Sequence, residues 1–559
     1  MAPGRPAPHQ HHTVVNRNRA SRGRALAEQQ LPAPPNHEQH ELDDERPVGE
    51  ICGRLNVVPV RMVNVTVPHS IRDDHELHPA QQNPYNQMGP LVEQCVPLVT
   101  CGDFTSFMAA FNKRCNFEQQ GESDDIETAV FNEALALIDE WPDMFDLWDD
   151  DPADRERWLA KFDKRKRTDM ERAYGEVVGH DSRYVGTKTL SVKKEVLIKR
   201  DDPSWAPRII YAGNDVFNTI TGPALMVVME RLVAMVSSGV KIGPVQVKFA
   251  YKTNDVELCK FIIDENLPHA VEGDFSRNDR EQRSRVALLF DAVLKKLRMP
   301  DWLRTLLLDL EHYTVESTKF GFRAELKYQL PTGTTSTTAR NSIYNALMFG
   351  VVCKRQRRHG RAIILGDDLL ASLNQRLDIK AWVEDVARFK MVLKGKEVSM
   401  NGEATFLSRR IFSDVADPCM VPLLGKMLVR FNIRSAQNQG ISDSAYMAGK
   451  ALSYAYESRH VPALRNLFLR RYRMENDNTQ VQLKDLSWFA RTSELSLDQI
   501  VKAIENEKVL LDDLEFGAWC CETYDIDYVD TITLFERIVC DASCVMLDEP
   551  LLDHFKTDL

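Results

Sequence analysis

The stretch AIILGDDLLAS constrains this chain more tightly than any other. Ala362 to Leu365 form one apolar run, Leu369 to Ala371 a second, and Gly366, Asp367 and Asp368 stand between them. Two apolar runs of strand length meeting at Gly-Asp-Asp predict a β-hairpin whose tight turn lifts two carboxylates out of the core. Adjacent carboxylates repel and are costly to hold together unless a cation lies between them, so a divalent metal is their natural complement. Taken alone, the stretch reads equally as an exposed turn tipped with Asp.

Two upstream stretches decide the matter. In AVEGDFSRNDREQ, Asp274 and Asp279 are separated by four residues and preceded by His269, Ala270 and Val271. A strand ending at Asp274 would leave its carboxylate at the tip, able to meet Asp367 across a shared metal, the arrangement that two-metal phosphoryl or nucleotidyl transfer needs. Asp279, followed by Arg280, Glu281 and Gln282, also fits the capped first turn of a helix. In QLPTGTTSTTARNSIYNALMF, Thr332-Gly333, Thr337 and Asn341 form a small-residue loop leading into a helix. At helical spacing Thr337, Asn341 and Asn345 share a face of uncharged donors and acceptors. Such a face beside a carboxylate cluster suits recognition of a ribose 2′-hydroxyl. Ile343, Leu347 and Met348 on the same helix argue against a Ser/Thr-rich linker.

In this order the three stretches resemble motifs A, B and C of the palm of viral RNA-dependent RNA polymerases. Asp274-x4-Asp279 resembles motif A, Thr332-Gly333-x3-Thr337-x3-Asn341 motif B, and Gly366-Asp367-Asp368 motif C. Upstream, VKKEVLIKRDDPSWAPRIIYAG resembles motif F, with Lys194, Glu195 and Pro207-Arg208. Downstream, FKMVLKGKEV resembles motif D, whose lysine is Lys394 or Lys396, and ATFLSRRIF resembles motif E. The wording of motifs A and E is most similar to positive-strand RNA viruses of the nodavirus and tombusvirus sort. Asn278 departs from that pattern, which has an apolar or aromatic residue there.

The resemblance implies an α+β right-hand polymerase with a small antiparallel palm sheet covered by helices and a mostly helical thumb. It implies RNA synthesis on an RNA template from nucleoside triphosphates, with pyrophosphate released. Two Mg²⁺ ions, replaceable by Mn²⁺, would be held by Asp274, Asp367 and Asp368. Lys394 would protonate the leaving group, with Lys396 an equal candidate. Asp279 and Asn341 would select the ribose, Thr332, Gly333 and Thr337 would let the loop shift, and Lys194 and Arg208 would hold the triphosphate. A reverse transcriptase shares the carboxylate logic but calls for a bulky side chain where this chain has Asp279. A non-catalytic RNA-binding replication protein is the other alternative.

The expected organisation is a basic, Pro-rich disordered tail over 1–48, an N-terminal extension over 49–120 with valine-rich strands between Ile51 and His69, fingers over 121–266, palm over 267–412 with a fingers insertion between motifs A and B, and a helical thumb with C-terminal extension over 413–559. Trp141 and Trp148 are expected in the core rather than as stacking platforms. A net charge of −11 sits badly with RNA binding until its distribution is considered. The segment from Glu122 to Glu156 is strongly acidic. That from Lys426 to Arg473 is basic and is expected to grip the backbone of a product duplex. Eleven cysteines without Cys-x2-Cys spacing predict reduced thiols rather than a zinc site. PALMVVMERLVAMV is interrupted by Glu230 and Arg231 and reads as a buried or amphipathic helix, not a membrane span. With no signal peptide read at the N-terminus, the expected location is the host cytoplasm, with membrane contact through a partner or a peripheral surface. The expected partners are RNA, nucleoside triphosphates and viral or host replication proteins.

Overall fold

The computed structural model describes residues 85–559 except 94–97, 101, 117–124, 177–185, 194–195, 198–205, 277, 390, 416, 436–441 and 476–496. The tail over 1–48, the strands expected between Ile51 and His69, and Lys194 and Glu195 lie outside the described residues. The fold is α+β, with mixed sheets and abundant helices.

Its centre is a five-stranded sheet in the order Val392–Val398, His269–Ser276, Asp368–Leu373, Gly360–Leu365, Val245–Phe249. The expectation of a purely antiparallel sheet needs correction, because Val245–Phe249 runs parallel to Gly360–Leu365. Ala362, Ile363 and Ile364 are all fully buried, as the unbroken apolar run requires of a strand covered on both faces. Successive side chains enter different cores. Ala362 and Ile364 join the large cluster with Ile343 and Leu347 of helix Thr337–Gln356. Ile363, with its cross-strand partner Leu370, packs with Leu258 and Ile262 of helix Asp255–Ile263 and with Phe406 and Ile411. A Cβ on Gly273 would stand 2.7 Å from the Trp382 ring, so glycine beside Asp274 lets helix Ile379–Arg388 lie close against the sheet.

A second, four-stranded sheet runs Phe322–Lys327, His312–Ser317, Lys188–Val192, Ile209–Gly213. Helix Phe104–Arg114 packs on it through Phe107 and Phe111 against Phe322, ring centroids 5.2 and 4.6 Å apart. Trp141 and Trp148 are buried, as expected. The acidic stretch is partly neutralised within the fold, Glu133 by Arg355 and Glu140 by Lys354. Helix Asp215–Ser237 is long and apolar enough to cross a bilayer, but 72% of its most apolar window is buried in protein.

Beyond residue 400 a three-stranded antiparallel sheet (Thr405–Phe406, Arg409–Phe412, Cys419–Pro422) leads into helices Leu424–Phe431, Asp443–Glu457, Pro462–Glu475, Leu497–Asn506, Asp513–Tyr524 and Tyr528–Val539 around one core. The basic stretch expected to face RNA is largely consumed here. Arg434 pairs with Asp443, Arg459 with Asp255 and Arg470 with Glu536. Lys450 donates to the Arg430 and Ile433 carbonyls, and Arg471 to those of Met88 and Asp541. Helix and strand ends inside this core leave carbonyls without ladder partners, and long cationic side chains satisfy them. The final segment braces this region: Asp558 accepts from Arg410 and Tyr524, both at 2.8 Å. All eight described cysteines are free thiols.

Candidate active site

The Gly-Asp-Asp stretch forms the hairpin its sequence predicts. Leu365 and Asp368 close the ladder, leaving Gly366 and Asp367 as a two-residue turn. Gly366 has φ +65° while Asp367 stays at negative φ, the pattern of a type II′ turn, which places glycine first.

Strand pairing then assembles the charged row. Asp274 lies directly opposite Asp368 on one side and Lys394 on the other. Residues paired across strands project to the same face, so two carboxylates and an ammonium stand side by side, with Asp367 at the adjoining turn. Strand His269–Ser276 runs two residues beyond Asp274, because Phe275 is needed in the core. The two candidate lysines part company here. Lys396 lies opposite Glu272 and pairs with it at 3.0 Å, and Glu272 also accepts from the Thr405 N–H.

Burial, then the mutual repulsion of Asp367, Asp274 and Glu272, pushes the Asp368 carboxyl up to about 7. Asp367 is pushed up to about 6, by burial first, with Asp279 and Asp274 adding repulsion. Arg208 and Lys426 partly offset these shifts. Among the described residues no three His, Cys, Asp or Glu side chains converge on a ready-made ion position. The donor chemistry nonetheless fits a hard divalent cation: oxygen ligands only, mutually repelling and held at high pKa without one.

A hydrogen-bonded network centred on Asp279 lies beside this row. Asn341 Nδ2 donates to Asp279 Oδ1 at 2.7 Å, and the Thr332 hydroxyl donates to Asp279 Oδ2. Gln282 Nε2 donates to Asn341 Oδ1 at 2.6 Å, fixing the orientation of that amide. Thr337 does not join the row expected of it; its hydroxyl is turned to the Pro331 carbonyl at 2.9 Å and tethers the loop. Asn345 is likewise diverted, to the carbonyls of the Gly366-Asp367 turn. Asp279 sits in the one-turn helix Asn278–Glu281, so the strand and the helical turn foreseen as alternatives follow one another.

Part of this set lines a cleft of about 670 Å³. Arg208, Asp279, Thr332, Thr337, Asn341, Asp367 and Asp368 all contribute to its wall. So do Arg114, Lys161 and Arg280, which carried no motif signal and arrive from separate elements. Gln282 and Ser342 were also missed; only their adjacency to motif residues hinted at them.

Comparison with known families defines the chain as a nucleotidyltransferase. A family model described as RNA dependent RNA polymerase matches residues 64–497. The chain belongs to that family, which is typical of positive-strand RNA viruses including the tombusvirus and nodavirus groups. No curated protein matches it.

Proposed function

We propose that the chain replicates a viral RNA genome by metal-assisted nucleotidyl transfer within this cleft. The observation that carries the reading is the register that sets Asp274 between Asp368 and Lys394, with Asp367 and Asp368 sharing one cleft with the Asp279–Asn341 pair. Asp274 and Asp367 would be the principal ligands for two Mg²⁺ ions, or Mn²⁺ in their place, and Asp368 would complete or tune the set. When bound, the ions activate the attacking 3′-hydroxyl and neutralise the departing pyrophosphate. Asp279 and Asn341 hydrogen-bond the ribose 2′-hydroxyl, which a deoxynucleotide lacks. Thr332, Gly333 and Thr337 form the loop that shifts with the template. Arg208 grips triphosphate oxygens, a planar fork suited to bidentate contact, with Lys194 as its companion. Lys394 delivers a proton to the leaving pyrophosphate; the pairing of Lys396 with Glu272 favours Lys394 for this role.

In this reading residues 121–266 act as fingers, 267–412 as palm and 413–559 as thumb and C-terminal extension. The four-stranded sheet supports a fingers insertion between motifs A and B, since it joins strands from 188–213 and 312–327. The enzyme works in the host cytoplasm, with membrane-bound replication complexes reached through viral or host proteins.

The test is extension of a labelled RNA primer on an RNA template by wild type, Asp367→Ala and Asp274→Ala, with and without Mg²⁺. Extension confined to wild type with Mg²⁺ is the expected result, with ribonucleotides preferred over deoxyribonucleotides. Extension by either variant at the wild-type rate sinks the proposal, and a preference for deoxyribonucleotides points to a reverse transcriptase.

A further inference from the structure

The helix that carries Asn341 also holds the carboxylate turn by its backbone. The Gly366 N–H donates to Ser342 Oγ at 2.8 Å. Asn345 Nδ2 donates to the Asp367 carbonyl at 3.2 Å and to that of Gly366 at 3.4 Å. Ser342 is itself oriented, because its hydroxyl donates to the Thr338 carbonyl at 2.7 Å. Only lone pairs are then left to face Gly366. Ser342 is 0% exposed and Asn345 1%, positions where an apolar side chain would be the default.

The turn needs such support. Gly366 and Asp367 lie beyond the last ladder pair, Leu365 with Asp368, so neighbouring groups fix the direction of the Asp367 carboxylate. Those groups follow Asn341 immediately along one helix, and Asn341 is itself clamped between Asp279 and Gln282. A hydrogen-bonded helix moves as a stiff element, so a displacement at Asn341 is carried to Ser342 and Asn345 within the same turn.

We propose that Ser342 and Asn345 are positioning residues that couple ribose recognition at Asp279 and Asn341 to the placement of the Asp367 carboxylate. The inference rests on the cleft being the nucleotide site described above. A ribose hydroxyl that engages the Asp279–Asn341 pair settles the helix, and the helix sets the turn. A deoxyribose leaves that pair engaged only with itself, and the turn receives no such signal.

Ser342→Ala and Asn345→Ala separate this from a packing role. Single-nucleotide extension of an RNA primer-template is measured with ATP and with 2′-deoxyATP, alongside thermal midpoints. Each substitution is expected to lower kcat for ATP about tenfold or more, leaving KM within about threefold. The rate with 2′-deoxyATP stays within about twofold of wild type, so discrimination narrows. Binding of Mn²⁺ in the presence of saturating adenosine, followed by the electron paramagnetic resonance of the unbound ion, weakens several-fold in both variants and stays near wild type with 2′-deoxyadenosine. Equal losses with the two nucleotides, or wild-type discrimination and wild-type Mn²⁺ binding, overturn the coupling. A wild-type protein that extends with neither nucleotide refutes the activity instead, and the Mn²⁺ arm still tests the clamp.

Discussion

Asp368 carries a carboxylate that burial disfavours. Its folded carboxyl titrates at about 7 and that of Asp367 at about 6, against about 4 for an unperturbed Asp. The native state therefore binds these protons more tightly than the unfolded chain does. That contribution to stability is fully present below about pH 4 and is lost as pH rises through 6 and 7. Asp368→Asn removes the buried charge. At pH 8 without divalent cations it should stabilise the protein by roughly 1–3 kcal/mol, and at pH 4 the difference should vanish; with Mg²⁺ present it should abolish primer extension. Thermal melts at both pH values check this, and a wild type more stable than the variant at pH 8 contradicts it. Asn278 poses the opposite case. It is 3% exposed, and neither polar atom of its amide finds a partner among the described residues. Asn278→Leu, close in shape and apolar, should raise the free energy of unfolding by about 1 kcal/mol in urea titrations; a loss of stability would mean that the amide is bonded after all. At this scale the sequence was most legible where charge is scarce and patterned: Asp279, Asn341, Asp367 and Asp368 line one cleft, and Asp274 lies across the ladder from Asp368. Arg114 and Arg280 were illegible, because a lone arginine on a helix reads the same whether it faces solvent or a cavity.

Among the elements, the turn after Phe406 holds stored strain. Leu407 and Ser408 both have positive φ, 52° and 61°, between strands Thr405–Phe406 and Arg409–Phe412. A two-residue turn of this kind favours Asn-Gly, and side chains such as Leu and Ser pay a steric cost there. Leu407 also lines the cleft, which gives the strain a site at which to persist. Leu407→Asn with Ser408→Gly should stabilise the fold by about 1–2 kcal/mol and slow primer extension. Urea denaturation beside extension kinetics reads both effects, and a variant gaining stability with undiminished rate would detach the strain from function. The hairpin at Gly366 and the helix Thr337–Gln356 were legible because their signals are local: turn residues, and apolar spacing over a few turns. Strand Val245–Phe249 alternates as a strand should, yet nothing local says that it pairs in parallel with Gly360–Leu365, more than a hundred residues on. Pairing partners are set by tertiary packing, which local patterning leaves open.

Across the whole molecule, charge is the property least legible from sequence. A run of arginines and lysines reads as a nucleic-acid surface, but between Arg434 and Arg471 most of these cations hold the C-terminal half together. Burial decides which of these roles a cation serves, and burial depends on contacts with distant parts of the chain. Asp255 is the clearest instance. It is 0% exposed, bonded to Arg459 at 2.5 Å and 3.5 Å from Arg409, and it joins helix Asp255–Ile263 to the strand Arg409–Phe412 and to the segment before Pro462. Its carboxyl is held below the usual range although burial alone would raise it, because Arg459 and Arg409 outweigh desolvation. Removing one member of such a cluster leaves buried charge uncompensated, at a cost of about 3–5 kcal/mol, whereas an exposed pair contributes about 1 kcal/mol or less. Asp255→Asn should therefore lower the urea midpoint sharply. Arg470→Ala, which breaks the half-exposed pair with Glu536, should barely move it. The two variants each break an ion pair made by an arginine of the same basic region, so equal effects would mean that the buried cluster contributes no more than the surface pair. The gap in midpoint between wild type and Asp255→Asn should also shrink less in high salt than bulk screening predicts, since a cluster closed to solvent is screened little.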